Sequence, residues 1–117
     1  SDYARAARTM KRAAEAAPSS TLAMDARYWE GVALARQGLT DRARVAMERF
    51  LHRYPDSPRF GEVSVMLGWM LVESREWARA GQLFQSARND RSSSVRESAR
   101  QGLEVIARVQ ARSKVGP

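Results

Sequence analysis

The sequence predicts an all-α protein of about six helices stacked as a repeat, and three observations carry that prediction. Ala and Arg are abundant while Gly, Pro and β-branched residues are scarce, which favours helix over strand. Sliding the chain by 37 residues superposes Ala6 on Ala43 and Ala80, and Met10 on Met47 and Phe84. Stop and cap signals recur between the apolar runs, at Gly38, Pro55 and Ser57-Pro58. A period of this size is the signature of stacked helical units that share one continuous core.

The same shift brings Tyr3 onto Thr40 and Trp77, Pro18 onto Pro55, and Gly31 onto Gly68. Small residues recur where helices approach closely, and large ones where a gap must be filled. The elements follow in order. A first helix runs from Asp2 to about Ala16, presenting Tyr3, Ala6, Met10 and Ala13 at repeat positions. A second spans Leu22 to Gln37, closed by Gly38. Thr40-Asp41 should cap a third that runs to Arg53 and stops at Tyr54-Pro55. Ser57-Pro58 opens a fourth, ending near Glu73, and Ser74 should cap a fifth, Arg75 to Arg88. Ser94-Val95-Arg96-Glu97 reads as a capping box for a last helix to Arg112, with an apolar stripe of Val95, Ala99, Leu103, Ile106 and Val109.

These features resemble the tetratricopeptide repeat, whose helix pair carries a small residue midway along its first helix and an alanine early in its second. A bulky residue follows four positions later, and a proline closes the unit. Here they are Gly31, Ala43, Met47 and Pro55, then Gly68, Ala80 and Phe84, with Ser92 standing where the last proline is expected. The resemblance implies a right-handed α-solenoid in a single domain, 1–117: a half repeat (1–18), repeats at 22–55 and 57–92, and a capping helix (94–112). It also implies that the chain is a fragment of a longer protein. The run Ala26-Arg27-Tyr28-Trp29-Glu30-Gly31, with Phe50 and Tyr54-Pro55-Asp56-Ser57-Pro58, is further similar to bacterial cell-envelope tetratricopeptide proteins. Those of the CpoB C-terminal type are nearest in style, and the BamD-like outer-membrane assembly lipoproteins are more distant. A periplasmic or outer-membrane-associated scaffold in an envelope complex is what that likeness implies, with a cytoplasmic regulatory module as the alternative.

Composition narrows the chemistry. With no cysteine, disulfides, thiolate catalysis and cysteine-ligated zinc are excluded. The lone histidine, His52, has neither a second histidine for a metal nor a nucleophile motif for a triad, so it reads as a solvated side chain. Glycines fall inside helices rather than in a phosphate loop. No enzyme activity, metal or cofactor is expected. The net charge of +7 invites a nucleic-acid reading, but the arginines are interleaved with 13 carboxylates through every helix. A basic solvated surface is the preferred reading; nucleic-acid binding would reveal itself by steep salt dependence. No apolar run is long enough to span a bilayer, so no membrane insertion is expected.

What remains is a protein or peptide partner. In the tetratricopeptide superhelix the first helix of each pair lines the concave face, where peptides dock. By alignment that face carries Tyr28, Val32 and Arg36, then Val65, Trp69 and Val72, then Arg96, Arg100 and Leu103. An apolar floor flanked by arginines suits an apolar peptide with acidic flanks. Tyr28, Val65 and Val72 each have a second reading, packing between neighbouring repeats. Trp69 is the expected anchor, while Trp29 and Trp77 are assigned to packing. The Lys and Asn pairs that grip chaperone carboxylates in some tetratricopeptide modules have no counterpart, because the single asparagine, Asn89, lies outside the groove. Apolar surface left on the first helix predicts weak self-association.

Overall fold

The computed structural model describes residues 2–16 and 20–115. Six helices follow one another: α1 (Asp2–Ala16), α2 (Thr21–Arg36), α3 (Thr40–Arg53), α4 (Phe60–Glu73), α5 (Trp77–Ala87) and α6 (Ser93–Val115). Among the described residues there is no strand. The chain is an all-α helical repeat that divides into two compact units, residues 1–63 and 64–117, with the division falling inside α4. Pro18 and the side chain of Ala13 lie outside the described residues.

In the first unit α1 packs on α2 and α2 on α3. Met10 covers the buried Ala23 and Ala26, so the apolar stripe of α1 meets the small-residue side of α2. Ala43 is wholly buried, and Met47 fills the space opposite Gly31, where an added Cβ would meet Met47 Cγ at 3.4 Å. The second unit uses the same positions with a larger filler. Ala80 and Phe84 are wholly buried, and a Cβ on Gly68 would lie 2.8 Å from Phe84 Cε1. The ring also fills the space beside Gly102 on α6, leaving even less room there. The α6 stripe is used as its spacing implies, with Val95, Ala99 and Ile106 buried and Leu103 and Val109 half-buried.

The two turns inside the helix pairs are built alike. After α2, Leu39 N–H donates to Leu34 C=O and Gly38 N–H to Ala35 C=O; after α4, Glu76 donates to Leu71 and Arg75 to Val72. This is the Schellman arrangement, which ends a helix through one left-handed residue. Gly38 takes that conformation at φ 78°, and Arg75, 37 residues later, takes it at φ 62°. Arg75 bears the steric cost that glycine avoids, on the order of 1–2 kcal/mol.

Three expected caps are relocated. Leu39 stands at the N-cap of α3 without a side-chain hydrogen bond, and Thr40 is already inside the helix. Glu76 stands at the N-cap of α5, because the left-handed Arg75 cannot be its first turn. The hydroxyl of Ser74 instead donates at the end of α4, to Leu71 C=O or the Glu76 carboxylate. At α6 the cap is Ser92 rather than Ser94: its hydroxyl accepts from Val95 N–H at 3.4 Å, and Asp90 in turn holds the Ser92 amide at 2.9 Å. Glu97 is drawn away to Arg100. At α4, Ser57 accepts from Arg59 N–H at 3.0 Å, as a cap ahead of Pro58 should, and regular helix begins at Phe60.

Candidate functional site

The residues assigned to the groove divide between the units, and most are committed to their own neighbours. In the first unit Tyr28 is 6% exposed. Its hydroxyl donates to Glu62 Oε1 at 2.6 Å, and the guanidinium carbon of Arg59 sits 4.1 Å above its ring. Arg59 is tied on either side by carboxylates, to Asp25 at 3.5 Å and to Glu62 at 3.6 Å. Burial, then the hydrogen bond to Glu62, push the Tyr28 hydroxyl up from 10.0 to about 12. Four residues thus latch the middle of α2 to the start of α4. Val32 is buried beside them and Arg36 is exposed.

In the second unit Val65 is buried, while Trp69, Val72 and Leu103 are half-buried. Trp69 stacks edge-on against Phe84 at 5.1 Å between centroids, and its indole N–H donates to Ser98 Oγ at 2.8 Å. Its one polar atom is therefore satisfied from within. Arg100 is held by Glu97 and Glu104 on its own helix, which raises its pKa further and holds that of Glu97 below the usual carboxylate range. Arg96 donates to the carbonyls of Asp90 and Arg91 in the turn that precedes α6.

Trp29 corrects its assignment to packing. It is 42% exposed, meets Tyr28 only through an edge at 4.9 Å, and has Arg59 5.6 Å from its ring. A helix turns about 100° per residue, so positions seven apart fall nearly in line. Leu22 (67% exposed), Trp29 and Arg36 make such a stripe, and that spacing was the available signal. From Trp29 an aromatic series runs inward through Tyr28 and Phe50 to Tyr54, with centroids 4.9, 6.4 and 5.3 Å apart.

The opposite side of α2 faces a cleft of two adjoining lobes, about 450 and 510 Å³, walled by α1, α2 and α3. Arg27, Glu30, Ala46 and Arg49 line both lobes, and the exposed His52 stands beside the first. Among the described residues no three metal-ligand side chains come together. Among them, too, no helix is long and apolar enough to cross a membrane.

Neither a curated protein nor a solved structure matches the chain. A tetratricopeptide repeat model does match it, at residues 1–58 and again at 40–94. Those spans contain α1 to α5 and the paired positions Gly31 and Gly68, Ala43 and Ala80, Met47 and Phe84. Such repeats generally mediate protein–protein interaction and are typically non-catalytic. With most of its length matched and its small and bulky positions packed as that repeat requires, the chain belongs to the tetratricopeptide repeat family.

Proposed function

We propose that this chain is a protein-interaction scaffold that holds a partner protein or peptide within a bacterial envelope complex, in the periplasm or at the outer membrane. One observation carries the interaction reading. Among the described residues the large apolar side chains left exposed are Tyr3, Leu22, Trp29, Leu39 and Val45, all in the first unit. Trp29 is the one that supports docking most directly, because tryptophan is among the residue types that most often dominate an interface centre. The Leu22, Trp29 and Arg36 stripe, with Arg59 beside it, suits an apolar segment with acidic flanks. Trp69 is a second contact, its ring held in orientation by Phe84 and Ser98. The envelope assignment rests on the likeness of the Ala26–Gly31 and Tyr54–Pro58 runs to envelope tetratricopeptide proteins.

A photo-crosslinking amino acid placed at position 29, 69 or 108 of the protein in its native cell tests both parts. Crosslinks to an envelope protein at 29, and none at Arg108, are expected. Trp29→Ala should then weaken binding of that partner by about 2 kcal/mol, as truncation of an interface anchor does. Adducts formed only at 108, or only with nucleic acid, would replace this reading.

A further inference from the structure

We infer that the cleft on the other side of α2 is a second docking site, and that its occupant is an acidic peptide segment carrying an apolar side chain. Arg27, Glu30 and Leu34 face this cleft and lie nearly opposite Tyr28, Val32 and Arg36 around the helix. The site is therefore separate from the Trp29 stripe, and either can fail alone.

The floor is apolar and open. Leu34 is half-buried and Val45 is 50% exposed, although helices on three sides surround them. Each lobe falls in the roughly 300–1,000 Å³ range of ligand sites. Six Lys or Arg side chains line the cleft, against the three carboxylates Glu30, Asp41 and Glu48. Arg27 is paired with Glu30 at 3.5 Å. Among the described residues the other five cations, Arg8, Lys11, Arg42, Arg49 and Arg53, have no carboxylate partner.

Spacing concentrates that charge. Arg42, Val45, Arg49 and Arg53 follow at intervals of three and four, which places them along one side of α3. Like charges four apart on a helix repel, and carboxylates laid across them relieve the repulsion. The C-terminal end of the helix dipole favours Arg53, but it does not reach Arg49, Arg42 in the first turn, or the cations of α1. A phosphate backbone would satisfy the charge and leave Val45 and Leu34 in water. A peptide with a leucine between carboxylates covers both, so the chemistry favours protein over nucleic acid.

Fluorescence anisotropy on the whole chain tests the inference. The probe is a short fluorescein-labelled acidic peptide with a central leucine, compared with its Asn/Gln analogue, its serine-for-leucine analogue and a single-stranded oligonucleotide. Saturable binding of the first peptide is expected, with both analogues weaker by about tenfold or more. Arg49→Ser combined with Arg53→Ser, and separately Val45→Asp, should each reduce binding by a similar factor, with circular dichroism confirming the fold. Trp29→Ala should leave it unchanged. Equal binding of the serine analogue would mean charge alone, and tighter arginine-dependent binding of the oligonucleotide would mean a nucleic-acid surface. Either result, or no saturable binding, overturns the inference while leaving a partner docked at Trp29 intact. Loss of the peptide in Trp29→Ala alone would move its site to the other face.

Discussion

The two units build the same helix pair from the same register and finish it differently. In the second, Phe84 is wholly buried between Gly68 and Gly102, and Trp69 leans on it with its N–H satisfied by Ser98. In the first, the thinner Met47 would meet a Cβ added at Gly31 at ordinary contact distance, and order in α2 is supplied by the Tyr28, Glu62 and Arg59 latch. Val65 stands 37 residues after Tyr28 and has no hydroxyl to make such a latch. One repeat is thus closed by volume and the other by polar contacts. The polar solution leaves surface over, since among the described residues the exposed large apolar side chains all lie in the first unit.

Glycine substitutions sharpen this comparison most. Gly102→Ala and Gly68→Ala should each cost about 1–3 kcal/mol, because an added methyl overpacks a ring that has no free side to move toward. The loss should appear despite the roughly 1 kcal/mol by which alanine is the better helix former. Gly31→Ala should be neutral or stabilising, since the added Cβ would meet the flexible Met47 at van der Waals distance. Urea unfolding of the three variants decides. Phe84→Leu placed in the Gly102→Ala background should recover part of the loss, and equal costs at Gly31 and Gly102 would erase the distinction.

The latch predicts a pH dependence confined to the first unit. Tyr28 releases its proton near 12 when folded, against an ordinary 10.0 when unfolded. Between those values the folded state holds a proton that the unfolded state has lost, so stability falls as pH rises. The contribution is complete below pH 10 and disappears through about 12. The stability advantage of the parent over Tyr28→Phe should therefore shrink across this window. A constant difference would mean that the hydroxyl is not held by Glu62.

The smallest effect concerns the turns. Arg75→Gly should stabilise by about 1 kcal/mol by removing the left-handed strain, and Gly38→Ala should cost a similar amount. If both changes are neutral, the matched Schellman turns are not rigid enough to register the difference.

Much of this was legible in the residues. Repeated small and bulky positions predicted the glycine and alanine contacts, because helices that pack closely leave no other residue sizes at the crossing. Gly38 and Tyr54-Pro55 announced helix ends through backbone rules that hold whatever surrounds them. The three capping errors share a cause: Thr40, Ser74 and Ser94 are good caps in isolation, but the Schellman turns and the Asp90–Ser92 contact had already set where each helix begins.

An all-α repeat, its register and its family are readable from the residues alone, since periodicity and backbone preference are local and additive. Only the folded arrangement sets how far each aromatic ring stands out from its surroundings. As letters in a chain, Trp69 is the expected anchor and Trp29 a packing residue. Trp69 is half-buried, with its indole N–H bound to Ser98 and its ring against Phe84, whereas Trp29 stands 42% exposed with Tyr28 against it edge-on and Arg59 5.6 Å from its ring. Exposure depends on how neighbouring volumes and hydrogen bonds share space, and that sum closes only in three dimensions.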